Sequence, residues 1–199
     1  PNYKQIFDLY INNSTCDPTQ LAGKTGDDSV AEFVNQEAVF YQNGTWAYND
    51  IKKLGDDALG MIPIYIGVKG EEKQGMWSGG ENYWCVSSKA DDASQKATLD
   101  FIYWCVTSDT ATTAIAEDMG FTIPFKNAKA TKNVLANIAA EYAKKGNESV
   151  AWDFIYIPSQ EWKNNLSSAL KGYAAGTEDW DAVKSAFVDG WKTEKEANA

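Results

Sequence analysis

One stretch constrains the fold more than any other: Ala38-Val39-Phe40-Tyr41-Gln42-Asn43-Gly44-Thr45-Trp46-Ala47-Tyr48-Asn49-Asp50-Ile51. Its hydrophobic period changes in the middle. Ala38 to Gln42 is a short apolar run suited to a buried strand. Asn43-Gly44 is a break that permits positive φ. Thr45 can cap a helix beginning at Trp46, with Ala47 and Ile51 on its buried side. The pattern puts a large flat aromatic on the first helical turn, just beyond a strand end, where open α/β sheets bind ligands. Two readings of Trp46 stay open: a ligand platform, or a core residue at an ordinary strand-to-helix turn.

The residue types narrow the chemistry. The 199-residue chain carries a net charge of -10 and contains no His and no Arg. Without Arg it lacks the bidentate fork for phosphate or carboxylate. Without His it lacks the ordinary triad base and the usual zinc ligands, so no catalytic group, metal or cofactor is expected. Its acidity repels nucleic acid and anionic membrane, and no nucleic-acid partner is expected. Trp, Tyr, Asn, Gln, Asp and Glu remain plentiful, and eight residues are Trp. Flat apolar faces beside amide and carboxylate groups suit a neutral polyol, whose C–H face stacks while its hydroxyls meet polar groups. No apolar run is long enough to span a membrane. Pro1-Asn2-Tyr3-Lys4 leads straight into helix-like sequence without the pattern of a signal peptide. Cys16, Cys85 and Cys105 form no C-x-x-C pair. Cys85, in a strand-like run, and Cys105, on a helix face, read as buried small hydrophobes, although the two could touch.

Helices and strands alternate along the chain. Residues 3–12 place Ile6, Phe7, Tyr10 and Ile11 on one helical face. A short helix opened by Asp27-Asp28 turns Val30, Phe33 and Val34 inward. Leu59 to Val68 alternates as a strand, with Pro63 marking an edge or an irregular crossing. Residues 69–80 read as a loose loop, and Glu81 to Ser88 as a second strand. Asp91-Asp92 open the clearest helix, with Thr98, Phe101, Ile102 and Cys105 at helical spacing. A shorter helix follows from Asp109, then an extended Gly120–Phe125 segment. Residues 127–144 form a helix with Val134, Leu135, Ile138, Ala139 and Tyr142 inward. Trp152 to Ile157 is a strand-like or irregular apolar run. Ser159 caps a helix bearing Trp162, Leu166, Ala169, Leu170 and Tyr173, which Gly176 stops. The last helix carries Trp180, Val183, Phe187 and Trp191. This order predicts an α/β fold with a small mixed sheet.

Two further tryptophans invite a role. Trp77 stands beside Gly79-Gly80-Glu81-Asn82, where paired glycines admit close approach of a ligand or serve as a hinge. Trp162 is a second helix-start tryptophan, and its place on an apolar face favours core packing. The pairs Asp27-Asp28, Asp56-Asp57 and Asp91-Asp92 lack calcium-loop spacing and suit helix starts and turns. Glu81 and Glu117 are the acids a glycosidase reading would use, and nothing in the sequence brings them together.

The motifs Phe33…Ala38 to Trp46, Leu59-Gly60-Met61-Ile62-Pro63-Ile64-Tyr65 and Gly79 to Ser88 occur in a particular order. Together with Phe101–Trp104, Gly120–Pro124 and Pro158–Trp191, they resemble the extracellular solute-binding proteins of carbohydrate ABC transporters, of the maltose- and multiple-sugar-binding kind. The first stretch is similar to their F-x-x-G-x-A-M-x-x-N-G-x-W segment, with the glycine of F-x-x-G replaced by Gln36 or Glu37. The resemblance implies a periplasmic-binding-protein-like (type II) lobe, helices around a small mixed sheet, lacking most of the N-terminal lobe. It assigns residues 1–79 to the first part of the C-terminal lobe. Residues 80–125 become a hinge crossing that packs on the missing N-terminal lobe, and 126–199 the closing helices. It further implies a ligand set of Trp46 stacking on a sugar, Trp162 facing it, Glu81, Asn82 and Tyr83 offering polar contacts, and Tyr48 nearby. Trp77, from the glycine-rich loop, joins that set. The expected activity is binding of a neutral mono- or oligosaccharide for ABC transporter permease subunits, without catalysis. The expected place is outside the cell, as a cell-surface lipoprotein or in the periplasm. A glycoside hydrolase and a lectin-like carbohydrate-binding module are the alternatives.

Overall fold

The computed structural model describes residues 2–79, 83–121, 125–126 and 128–197. Helices dominate, and a two-stranded parallel sheet accompanies them. The chain divides into two compact units. One comprises residues 1–41, 64–72 and 151–199, the other 42–63 and 73–150.

The first unit is helical. It holds α1 (Asn2–Asn12), a 3-10 turn at Pro18–Gly23, α2 (Gly26–Val34), and the closing pair α7 (Gln160–Ala175) and α8 (Trp180–Ala197). Thr25 and Asp28 form a reciprocal capping box that starts α2, so the acidic pair there serves the helix end. α7 starts where the sequence places it: Ser159 Oγ accepts from Trp162 N at 2.9 Å. It stops at Gly176, which takes the left-handed φ of 73°. Aromatic rings fill the unit. Phe7 and Tyr173 both pack on Trp180, and Trp162 meets Phe187 edge-on. Tyr173 Oη donates to Asp8 at 2.6 Å, while Lys4 Nζ sits 2.7 Å from the same carboxylate. These bonds tie α1 to α7.

The second unit contains the Thr45–Ala47 turn with α3 (Tyr48–Ile51), the strand β1 (Gln74–Ser78), α4 (Asp92–Thr107), α5 (Asp109–Thr113), α6 (Val134–Lys144) and β2 (Glu148–Ala151). α5 runs into a wide π turn at Ala114–Asp118, closed by Met119 N to Ala114 O at 3.0 Å. Small side chains form the core: Ala47, Ala111, Ala116 and Ala136 are buried with Ile51, Leu59, Met76, Cys105 and Leu135. The inward face expected for α6 is buried or half-buried throughout.

The strands differ from those expected from the sequence. Residues 38–42 are irregular, and Val39 and Phe40 are exposed. The chain leaves α2 through Gln36, whose φ of 62° turns it sharply. Residues 59–68 and 83–88 are likewise not strands, while β1 forms in the stretch expected to be a loop and β2 just ahead of the run at 152–157. Apolar alternation marks a half-buried surface; a strand also needs a partner backbone to pair with. β1 finds that partner through Gly75, where a Cβ would lie 3.1 Å from the Asn147 carbonyl oxygen. The helix of 127–144 begins later than expected, at Val134, because Asn133 caps it. In α4, only Cys105 of the expected inward set is buried, and Phe101 is exposed. Cys85 is exposed rather than buried, and all three cysteines are free thiols.

Candidate functional site

Trp46 sits on a turn built from its own sequence neighbours. Asn43 Oδ1 accepts from Gly44 N at 2.8 Å, and Gly44 O accepts from Ala47 N at 3.0 Å. Thr45 makes no side-chain cap; Gly44 occupies the cap position. Gly44 is extended, at φ -120°, so its role is space rather than a left-handed turn. A Cβ there would lie 2.3 Å from the Trp46 ring. The indole folds back onto the Gly44 backbone, and Trp46 remains 55% exposed. Ala47 and Ile51, on the opposite side of the turn, are buried and hold it down. A flat apolar surface is therefore presented to solvent from an anchored backbone, the arrangement a stacking platform needs.

Polar groups crowd the same turn. Tyr48 Oη donates to Asp56 Oδ1 at 2.9 Å. The Asp56 carboxylate, reinforced by partial burial, raises the Tyr48 phenol above its ordinary value and keeps it a neutral donor. Asn49 Nδ2 donates to the Asp118 carbonyl at 3.5 Å, and Asn49 Oδ1 accepts from Lys52 Nζ at 3.0 Å. Behind the turn lies Asn133, whose Nδ2 donates to the Thr45 carbonyl at 2.8 Å. Asn133 is absent from the set expected from the sequence, although an Asn directly before Val134-Leu135 is an N-cap signal.

The other predicted site residues fall in different places. Trp77 lies on β1 rather than in a loop and is 41% exposed; Met76 beside it is buried. Tyr83 is 74% exposed. Glu81 and Asn82 lie outside the described residues. Trp46, Tyr48, Trp77 and Tyr83 belong to one compact unit, and Trp162 belongs to the other. Trp162 is only 7% exposed, with Nε1 donating to Phe187 O at 3.1 Å. Its indole is a packed core group with its one donor satisfied.

The acids have structural work. Asp91 caps α4 and Asp28 completes the capping box of α2; in each case hydrogen bonds to the carboxylate hold its pKa below the usual range. Glu117 pairs with Lys132 at 2.6 Å. Among the described residues no group of three or more Cys, Asp or Glu is arranged to hold a metal ion. No described helix is long and apolar enough to cross a membrane.

Residues 3–144 match the model of the bacterial extracellular solute-binding protein family. The chain belongs to that family. No curated protein and no solved structure matches it. Membership of the solute-binding family implies extracellular substrate binding for transport, with an ABC transporter as the receiving machinery. The matched span contains the Trp46 turn, Tyr48, Trp77, Tyr83 and Asn133, and it ends before Trp162.

Proposed function

We propose that this solute-binding protein takes up a neutral sugar or oligosaccharide outside the cell and passes it to the permease subunits of an ABC importer, without catalysis. The observation that carries the reading is the Trp46 indole, exposed and seated on Gly44. A sugar ring offers one polar edge and one C–H face, and an indole held flat by its backbone meets that face. Tyr48 and Asn49 supply neutral hydrogen-bonding groups on the same turn. The absence of Arg from the chain argues against an anionic solute.

In this reading Trp46 is the anchor, with Tyr48, Trp77, Glu81, Asn82 and Tyr83 as further contacts. The chain corresponds to the C-terminal lobe of a type II binding-protein fold, with residues 80–125 crossing toward an N-terminal lobe. The whole protein is a lipoprotein or a periplasmic protein.

Calorimetric titration with maltotriose, cellotriose and xylotriose, against glutamate and phosphate as charged controls, tests this. Heat on one or more trisaccharides, with none on the anions, is the expected result. Binding of the anions alone would overturn the choice of solute. Sustained release of new reducing ends from a bound trisaccharide would overturn the absence of catalysis.

A further inference from the structure

Asn133 is the largest fully buried side chain among the described residues, at 2% exposure. An asparagine amide has two N–H donors and two acceptor lone pairs. Here all four are used. Nδ2 donates to the Thr45 carbonyl at 2.8 Å and to the Gly120 carbonyl at 3.3 Å. Oδ1 accepts from Leu135 N at 3.0 Å and from Ala136 N at 3.2 Å. One amide thus joins the start of α6, the turn after the π segment, and the turn that carries Trp46, 88 residues away in sequence.

The bond to Thr45 has a specific consequence. The Thr45 carbonyl and the Trp46 N–H belong to one planar peptide unit. Fixing that oxygen fixes the plane from which the Trp46 side chain departs. Gly44 limits the indole from one side and Asn133 holds its backbone from the other. The segment around Asn133 is itself held. Thr131 Oγ1 donates to Ala116 O at 3.0 Å and accepts from Asn133 N at 3.1 Å, and Lys132 pairs with Glu117. Ordinary capping explains the two bonds to α6; it does not explain why the same side chain also spends both donors on distant carbonyls.

We propose that Asn133 is the positioning residue of the Trp46 platform, coupling the aim of that indole to the start of α6. This inference rests on the reading of Trp46 as the sugar platform. Asn133→Ser keeps an acceptor for the α6 amides but is too short to reach Thr45. Asn133→Asp keeps the acceptor and removes both donors.

Amide hydrogen exchange on the full 199-residue chain separates the two jobs of the side chain. In either variant, exchange at Trp46 to Ile51 should speed up by roughly tenfold, the size expected for losing one or two net hydrogen bonds. The α6 amides should keep their protection. Affinity for maltotriose should fall while the number of sites stays unchanged. Unchanged protection at Trp46 to Ile51 in a folded variant would overturn the proposal, as would equal loss across both segments. Should neither variant fold, the Asn133 side-chain amide of the unaltered protein decides. Slow exchange of both its protons supports the clamp; exchange at the rate of a free amide overturns it. An unaltered protein that binds no sugar would refute the sugar reading alone, because the exchange result does not depend on a ligand.

Discussion

Trp46 and Trp162 both stand on the first turn of a helical segment, and they meet opposite fates. Trp162 follows a serine cap and packs into the α7–α8 pair, with Phe187 against its ring and its N–H on the Phe187 carbonyl. Trp46 follows a glycine cap, lies back on that glycine, and leaves more than half its surface in solvent. Local sequence is similar in the two places: a turn residue, a cap position, then a first helical turn bearing an indole. What differs is the length of helix behind it and the neighbour in front. α7 is 16 residues long and has α8 to bury its face; α3 is four residues long and is anchored by the buried Ala47 and Ile51 instead. A long helix spends its tryptophan on packing. A short one, tied down by backbone bonds, can leave it to a ligand.

That contrast can be broken at several points. The largest effect expected is at Trp162. Trp162→Ala should cost about 3–5 kcal/mol of stability, because it removes a buried ring and its hydrogen bond to the Phe187 carbonyl. Thermal or urea unfolding reads this, and a loss below about 1 kcal/mol would show that the ring is not a core group. Trp46→Ala should do the reverse: stability nearly unchanged, and sugar affinity weakened by about 1–3 kcal/mol.

Gly44→Ala sharpens the same comparison without touching an aromatic. The new Cβ would collide with the indole, so the ring must swing away. Affinity should drop by about 1 kcal/mol in calorimetry, with the fold intact, if the ring's seat on the backbone matters. An alanine variant that binds as well as the parent would show that the ring's placement is irrelevant to binding.

Two smaller effects concern the first unit. Gln36 holds a φ of 62°, where a side chain is strained and glycine is not. Gln36→Gly should raise stability by about 0.5–1 kcal/mol, after the entropic cost of glycine is set against the relieved strain. A destabilised variant would show that the Gln36 side chain contributes contacts worth more than the strain. The smallest effect is with pH. The Lys4 ammonium and the Tyr173 hydroxyl hold the Asp8 carboxyl below its ordinary value of 3.8. A depressed pKa gives stability that is present above the unfolded value and lost as pH falls through the folded one. α1 should therefore loosen below about pH 4, seen as faster exchange of its amides, and Asp8→Asn should remove that acid-specific change. The pair is partly open to solvent, so the effect on the global melt should be slight.

Much of this was legible in the chain. Local signals located α2, α4 and α7: Asp27-Asp28, Asp91-Asp92, Ser159 and Gly176 act over a few residues, although the cap of α2 proved to be Thr25. Trp46 was legible as a helix-start aromatic after a glycine, although the reason for the glycine was not. Asn43-Gly44 reads as a positive-φ turn, whereas Gly44 is extended and makes room for a ring, a tertiary demand that no local rule encodes. The strands were least legible. Val39-Phe40-Tyr41 has the composition of a strand but does not form one, while Gln74-Gly75-Met76 looks loose and pairs because a glycine lets another backbone come close. Asn133 shows the same limit in the site itself. The helix expected over 127–144 runs straight through this cap, and the bond to Thr45, 88 residues away, has no local signal at all.

The most direct test of the Trp46 platform is a fluorescence titration with maltotriose on three proteins: the parent, Trp46→Phe and Trp162→Phe. Phenylalanine keeps an apolar ring at each position and removes the indole signal. If Trp46 is the platform, most of the sugar-induced change in tryptophan emission should be lost in Trp46→Phe, any remainder coming from Trp77, and the change should persist in Trp162→Phe. A change that persists in Trp46→Phe and vanishes in Trp162→Phe would contradict that assignment, and would place the solute at the buried indole between α7 and α8.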